Sequence, residues 1–148
     1  MYQRIQVAVD GSSTSDRALQ EAIRLAKEQR ALLHIVHVID VVPMVLDAEF
    51  IDIEAMRRAM RQSGQQVMDR AREKAKAAGI EAETRLVEID TPAQRLAQKI
   101  VEEAKAWPAD LLVIGTHGRR GLDHLLLGSV AEGVTRLAPM PVLLIRGK

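Results

Sequence analysis

Glycines and serines are grouped in two short stretches whose composition suits an anionic ligand. The first follows an apolar run near the start of the chain and reads Asp10-Gly11-Ser12-Ser13. The second has the spacing Gly115-x2-Gly118-x9-Gly128, followed directly by Ser129. Glycine lets a backbone approach a phosphate without a Cβ in the way, and a helix N-terminus supplies N–H donors and a partial positive charge. Both stretches therefore indicate contacts with a phosphate.

The glycine spacing differs from two well-known phosphate-binding patterns. It is not Gly-x-Gly-x-x-Gly, the fingerprint of dinucleotide-binding folds, and no Gly-Lys-Ser/Thr of a Walker A loop occurs in the chain. Arg119, Arg120 and His124 lie within the second stretch and could add positive charge. Arginines on an exposed loop are more often simply solvated, so we predict no individual role for them.

The composition excludes several other functions. The chain has 148 residues, with 21 Lys and Arg against 20 Asp and Glu, and so lacks the basic field that drives nucleic-acid binding. It has no cysteine, which removes disulfides, thiolate nucleophiles and Cys-based zinc sites and fits a reducing compartment. No apolar run approaches the roughly 20 residues that span a bilayer, and the N-terminus lacks signal-peptide features. We expect a cytoplasmic protein with neither nucleic acid nor a membrane as partner.

Five apolar runs predict the strands that position the two stretches. They cover residues 5–9, 32–39, 81–89, 111–114 and 142–145. Helical periodicity separates them, and the run at 81–89 alternates in the way typical of an edge strand. Strict alternation of strand and helix favours a parallel sheet with helices on both faces. We expect one domain over residues 1–148, a doubly wound, Rossmann-like α/β fold with a mostly parallel five-stranded sheet in the order 3-2-1-4-5.

Capping residues predict where three of the helices begin. Ser15 and Asp16 are cap candidates for the first helix. The segment 91–94, Thr-Pro-Ala-Gln, predicts a capping box for the third. Ser129 and Glu132 have capping-box spacing at the start of the fourth. The fourth helix is therefore expected to begin at Ser129.

Other positions mark helix ends and irregular segments. The second helix is expected to stop at Gly79, and residues 40–50 predict a flexible flap. Trp107 stands at the end of the third helix and is predicted to pack on the sheet. Gly133 lies inside the fourth helix, where glycine costs roughly 1 kcal/mol relative to alanine. The sequence gives no functional reason for that glycine.

The sequence resembles the universal stress protein family, in the branch whose members bind ATP. The resemblance covers nearly the whole chain. It rests on residues 4–12, residues 33–38, the glycine motif at 115–129 and the ending at 128–146. Ligands of open α/β sheets bind outside the carboxyl ends of the strands, where the strand order reverses. The two stretches rich in glycine and serine, at 10–13 and 115–129, each follow a predicted strand.

The resemblance implies a role for each residue of the site. Asp10 would bond the ribose hydroxyls, although Asp-Gly is also a common turn pair, and Val38 would pack on the adenine. The phosphates would lie against Gly115, Gly118, Gly128, Ser129 and Val130. The same cleft would be lined by Ala8, Ile114, Thr116 and His117. The implied ligand is ATP, with AMP and ADP as alternatives, and Mg²⁺ would be carried by the phosphates.

The sequence is compatible with three functions. The first is a nucleotide-binding stress-response or regulatory module with slow or no hydrolysis, because the loop has neither a dedicated general base nor a P-loop lysine. The second is a slow ATPase or phosphotransferase that uses His117 or Asp10. The third is a nucleotide-free interaction module. We predict no catalytic residue and no protein metal ligand, since His34 and His37 fall on opposite faces of a strand.

The last apolar run indicates an oligomer. Residues 142–145 are uniformly apolar, yet the expected strand order places them at a sheet edge. An unprotected apolar edge is an aggregation hazard unless it is paired. We expect a symmetric homodimer joined through residues 142–146, as in the family that the chain resembles. A further protein partner stays unidentified.

Overall fold

The computed structural model describes residues 1–41, 52–89, 95–117 and 127–147. Strands and helices alternate strictly in these ranges. The elements are β1 (Arg4–Ala8), α1 (Ser13–Gln29), β2 (Leu32–Asp40), α2 (Ile53–Ala77), β3 (Ala82–Ile89), α3 (Leu96–Ala106), β4 (Leu111–Gly115), α4 (Ser129–Leu137) and β5 (Val142–Ile145). Each strand predicted from an apolar run lies within one residue of its predicted bounds.

The five strands form one parallel sheet in the order β3-β2-β1-β4-β5. This confirms the predicted doubly wound fold. The strand order reverses between β1 and β4, which are neighbours with Ile5 opposite Leu111 and Val7 opposite Val113. The edges are β3, as its alternating pattern predicted, and β5.

Apolar side chains fill both faces of the sheet. On one face, α1 and α2 cover Ile35 and Val113 with Leu19 and Met68. On the other face, α3 and α4 contribute a second cluster that includes Ile100, Leu112, Ile114 and Val134. Strands buried on both sides need continuous apolar runs, which is why these strands were recognisable in the sequence. Within the described ranges, no helix is long and apolar enough to cross a membrane.

The start of α1 differs from the prediction. Its N-cap is Ser12, whose hydroxyl accepts a hydrogen bond from the N–H of Ser15 at 3.2 Å, so the assignment of Ser15 or Asp16 as cap was wrong. Gly11 has φ +82°, a left-handed conformation that glycine adopts without strain. This turn brings the chain into the helix sooner than the apolar periodicity suggested.

The start of α4 corrects a second capping prediction. Ser129 is the first helical residue, as predicted, but the N-cap is Gly128, and among the residues that the structure describes no side chain caps the helix. The Glu132 carboxylate pairs with Arg136 at 2.7 Å on the exposed face of the helix. Because Ser129 already has helical backbone geometry, its hydroxyl is not the N-cap acceptor that the capping-box prediction required.

Two further boundary predictions have different outcomes. Within the described residues, α3 begins at Leu96, and its N-cap Arg95 makes no side-chain capping hydrogen bond. The predicted capping box at residues 91–94 lies outside the described ranges, as do residues 42–50 of the predicted flap. The stop after α2 is confirmed, since Gly79 has φ +84° directly after the C-cap Ala78.

Gly133 is explained by the packing of α4 against α3. A Cβ added at this position would lie 2.6 Å from the Cβ of Ala97, so only glycine permits the observed separation of the two helices. Gly133→Ala normally favours a helix by about 1 kcal/mol. Here we expect it to lower the free energy of unfolding by about 1–3 kcal/mol because of overpacking. Urea denaturation measures this effect.

The double variant Gly133→Ala/Ala97→Gly is the matched control, because it moves the methyl group from one helix to the other. It should recover most of the stability that the single variant loses. A single variant more stable than the wild-type protein would contradict the close contact between the helices.

Trp107 packs on the sheet, as predicted. Its ring stacks on His34 with 4.8 Å between centroids, and the guanidinium of Arg4 lies 4.2 Å from the centre of the indole ring. His34 is buried and its Nδ1 lies 3.1 Å from Oε1 of Gln6, whose Nε2 donates to the carbonyl of Ile100. Because that amide nitrogen is the donor, Oε1 accepts and Nδ1 of His34 carries the proton. This histidine is structural.

The burial of His34 predicts a pH-dependent stability. Burial lowers its pKa; the nearby Glu83 raises the pKa, and Arg85 and Arg4 lower it. In the unfolded chain the histidine titrates near pH 6.5, so below that pH the unfolded state binds more protons than the folded state. Stability is therefore full above about pH 6.5 and falls as the pH is lowered, by at most about 1.4 kcal/mol per pH unit for one proton.

Urea unfolding of the wild-type protein and His34→Gln at pH 7.5 and pH 5.5 tests this expectation. Glutamine cannot titrate, so the variant should lose less stability than the wild-type protein between the two pH values. Equal losses in both proteins would show that His34 does not contribute to the pH dependence.

Candidate functional site

The candidate site lies at the carboxyl ends of β1 and β4, where the strand order reverses. Helices leave these two neighbouring strands in opposite directions, to α1 on one face and α4 on the other, which opens a crevice between the two connections. Asp10 follows β1, and Thr116 follows β4. The topology therefore brings together the two stretches that the sequence singled out.

Four apolar residues of the predicted site belong to one cluster on a single face of the sheet. Ala8 and Ile114 are buried in the second core cluster, and Val38 and Val130 are half-buried against the same cluster. The four residues come from β1, β4, β2 and α4 and share one face of the sheet. They form an apolar wall of the kind that a flat ring system needs for binding.

Thr116 fixes the position of the α4 N-terminus. Its backbone N–H donates to the carbonyl of Ile145 in β5 at 2.9 Å, and its own carbonyl accepts from the N–H of Gly128 at 2.8 Å. The hydroxyl of this buried threonine lies 2.9 Å from Nδ1 of His117. One residue thus joins the end of β4, the edge strand β5 and the start of α4.

Gly128 has no room for a side chain. A Cβ built on it would lie 2.8 Å from the Thr116 carbonyl oxygen and 3.6 Å from the Cα of His117. The φ of Gly128 is −62°, which any residue can adopt. Glycine is therefore required by the close approach of Thr116 and not by the backbone conformation. The first N–H groups of a helix have no partners within the helix, and the N-cap Gly128 has no side chain to cap α4. The N-terminus of a helix in this state can bind a phosphate.

Of the first two glycines of the motif, the structure describes Gly115 but not Gly118. Gly115 is buried, and a Cβ on it would lie 2.7 Å from Cγ2 of Thr14, so the contact of α1 with β4 accounts for this glycine by packing. Its role beside a phosphate stays a prediction. Gly118 lies outside the described residues, together with Arg119, Arg120 and His124.

Asp10 occupies the turn between β1 and α1. Its Oδ1 accepts from the N–H of Ser12 at 2.9 Å, and its own N–H donates to Oγ of Ser15 at 3.2 Å. The turn role that the Asp-Gly pair suggested is therefore present. The carboxylate is half-buried at the mouth of the crevice, and its contact with a ribose stays a prediction.

Ser129 and His117 stand at the polar end of the crevice. Ser129 is exposed in the first turn of α4, and His117 is half-buried beside Thr116. Among the residues that the structure describes, no three histidine, aspartate or glutamate side chains lie close enough together to hold a metal ion.

Two contacts that shape the site were not foreseen from the sequence. Arg17 of α1 donates from Nη1 to the carbonyl of Arg146 at 2.8 Å. A Cβ on Gly147 would lie 2.9 Å from Oγ1 of Thr14. Both contacts fasten the chain after β5 to the start of α1. Arg17 and Arg146 are 129 residues apart, so no local pattern could reveal their contact.

The fold defines this chain as a doubly wound α/β protein with a candidate ligand site at its topological switch point. The model of the universal stress protein family matches residues 1–146, and the chain belongs to that family. A universal stress protein of Methanocaldococcus jannaschii is 37% identical over 147 residues, which cover 99% of this chain and 83% of the relative. YxiE, a universal stress protein of Bacillus subtilis, is 34% identical, covering 99% of this chain and all of the relative.

Solved structures of the family superpose along the whole chain. A universal stress protein family member from Burkholderia pseudomallei has a TM-score of 0.80 and 34% identity, covering 99% of this chain and 97% of its own. A universal stress protein in complex with cAMP has a TM-score of 0.73 and 28% identity, covering 99% of both chains. One from Archaeoglobus fulgidus in complex with dAMP has a TM-score of 0.69 and 25% identity, covering 98% of both chains.

Proposed function

We propose that this chain binds an adenine nucleotide in the crevice between β1 and β4 and acts as a dimeric stress-response or regulatory module in the cytoplasm. ATP is the first candidate, AMP and ADP are the alternatives, and Mg²⁺ is carried by the phosphates. The whole chain, residues 1–148, serves as one nucleotide-binding domain. Two related structures whose ligands are cAMP and dAMP support the adenine nucleotide as ligand class.

The observation that carries this proposal is the link between Thr116 and Gly128. It holds the N-terminus of α4, whose N-cap is a glycine, at the end of β4, and α4 packs in the same apolar cluster as Val38 and Ile114. An adenine ring suits the apolar side, and phosphates suit the helix N-terminus. In this arrangement the phosphates lie against Gly115, Gly118 and Gly128, and against Ser129 and Val130. Ala8, Thr116 and His117 complete the lining.

Asp10 provides the first test of the ribose contact. Asp10→Asn keeps Oδ1 as the acceptor for the N–H of Ser12, so the turn is retained and only the negative charge is removed. Loss of a charged hydrogen bond costs about 1.5–3 kcal/mol, and we expect the affinity for ATP to fall about tenfold or more. Isothermal titration calorimetry measures this change.

Asp16→Asn is the control, because Asp16 lies on α1 and pairs with Lys74 at 3.4 Å, away from the crevice. It should bind ATP as the wild-type protein does. An Asp10→Asn variant with unchanged affinity would show that this carboxylate does not contact the nucleotide.

Turnover is expected to be slow or absent. Nδ1 of His117 already lies at hydrogen-bonding distance from the Thr116 hydroxyl, and efficient hydrolysis needs a base that is positioned for water. Phosphate release measured with excess ATP should therefore be far slower than nucleotide exchange. Measurable phosphate release that disappears in His117→Ala would favour the alternative, a slow ATPase or phosphotransferase.

The contrast between the two sheet edges supports a dimer through β5. At the β3 edge, charged groups lie on both faces: Arg61 pairs with Glu88 at 2.8 Å, and Arg85 pairs with Glu103 at 2.8 Å. Such charges protect an edge from pairing. The edge strand β5 has only apolar side chains, all half-buried. Symmetric pairing of β5 with its copy, over residues 142–146, would cover them.

A further inference from the structure

The histidine at position 37 continues the hydrogen bonding of β1 beyond the end of the strand. Backbone pairing with β4 extends to Val7 and with β2 to Ala8, after which the N–H of Val9 donates to Val36. The carbonyl of Val9 lies 2.7 Å from Nδ1 of His37. A carbonyl can only accept, so Nδ1 carries the proton and donates it. The side chain thereby replaces a strand contact.

This bond holds the peptide group from which Asp10 begins. The carbonyl of Val9 and the N–H of Asp10 belong to the same planar peptide unit. His37 binds the oxygen of that unit, and Oγ of Ser15 accepts from its N–H at 3.2 Å. With both of its polar groups held, the peptide plane cannot rotate without breaking a bond, and the backbone of Asp10 is fixed accordingly.

The helix α2 confines the histidine ring. A Cβ on Gly64 would lie 3.2 Å from Cδ2 of His37 and 3.0 Å from the terminal methyl groups of Ile39 and Leu86. The absence of a side chain at this buried position lets the helix pass directly over the ring. The ring is therefore enclosed between Gly64 and the end of β1.

We propose that His37 is a positioning residue that holds Asp10 in place for the ribose and so sets a preference for ribonucleotides over 2′-deoxyribonucleotides. The inference rests on the proposed nucleotide function and adds to it a residue outside the predicted site. His37 does not contact the ligand. It acts through the Val9 carbonyl, and its loss leaves the carboxylate chemically intact but misplaced.

Three substitutions separate this role from a general loss of stability. In His37→Asn the side-chain amide nitrogen takes the place of Nδ1, so the bond to Val9 is kept. In His37→Gln the nitrogen takes the place of Nε2, and in His37→Leu there is no donor. His34→Leu is the control, since it removes the other histidine of β2, whose partner Gln6 lies in the body of the sheet.

The measurement is the ratio of affinities for Mg²⁺-ATP and Mg²⁺-2′-deoxyATP, obtained by calorimetry on the full chain. We expect the wild-type protein and His37→Asn to prefer ATP about tenfold, the scale of one charged hydrogen bond. The preference should fall to about threefold or less in His37→Gln and His37→Leu, and it should be retained in His34→Leu. Amide hydrogen exchange at Asp10 and Ser12 in the nucleotide-free protein should be faster in His37→Gln and His37→Leu than in the wild-type protein.

A wild-type preference that survives in His37→Gln and His37→Leu overturns the role of His37 and leaves the proposed function standing. ATP binding without any ribose preference in the wild-type protein overturns the ribose part of the proposal. A wild-type protein that gives no ATP isotherm overturns the proposed function itself, and the missing isotherm distinguishes this case from the others.

Discussion

Gly128→Ala is expected to weaken ATP binding by at least about 100-fold. The added methyl group would lie 2.8 Å from the backbone oxygen of Thr116, which cannot turn aside as a flexible side chain can. The start of α4 must shift, and its N–H groups move away from the phosphates. Loss of two charged hydrogen bonds, at about 1.5–3 kcal/mol each, corresponds to a factor of 100 or more. Calorimetric titration of Mg²⁺-ATP measures the loss.

Gly79→Ala is the matched control for this experiment. Gly79 has φ +84°, so alanine is strained there, but no atom lies within 4 Å of the added Cβ. The position follows α2 and precedes β3, at the end of the sheet opposite the crevice. The Gly79→Ala variant should lose stability and keep its affinity for ATP. Wild-type affinity in Gly128→Ala would mean that the phosphates do not bind at the start of α4.

Leu144→Lys is expected to convert the proposed dimer into a monomer. Pro141 and Ile145 direct their carbonyls to β4, so the alternating backbone groups of Val142 and Leu144 face the open edge of the sheet. A lysine at that edge opposes pairing with a second copy. Sedimentation at micromolar concentration should give about 33 kDa, twice the chain mass of 16.4 kDa, for the wild-type protein. The variant should sediment at the mass of one chain.

Leu32→Lys makes the same chemical change at a leucine that is already 51% exposed, at the start of β2 and away from β5. This control should stay dimeric. A Leu144→Lys variant that still sediments as a dimer would place the interface elsewhere, and a monomeric wild-type protein would overturn the dimer.

The central strands β1, β2 and β4 were predictable because they are largely buried on both faces and therefore need apolar runs, and the edge strand β3 was predictable from its alternating pattern. Helix starts were less predictable, since several serines compete to cap α1 and only the left-handed turn at Gly11 selects Ser12. At α4 the capping-box spacing of Ser129 and Glu132 was misleading, because Gly128 is held by Thr116 and becomes the N-cap.

Long-range contacts explain what the sequence left open. The reason for Gly133 lies 36 residues earlier at Ala97, and the partner of His37 lies 28 residues earlier at Val9. Neither pair has a local pattern. The glycine motif was predicted as a phosphate site, and the packing of Gly115 on Thr14 shows that one glycine of such a motif can have a structural reason of its own.

The most direct test of nucleotide binding is to denature the purified protein, identify any released nucleotide by mass spectrometry, and titrate Mg²⁺-ATP into the refolded, nucleotide-free chain. We predict an adenine nucleotide in the released fraction and a titration that saturates at one ATP per chain. No released nucleotide together with no heat of binding would contradict nucleotide binding and would favour a nucleotide-free interaction module.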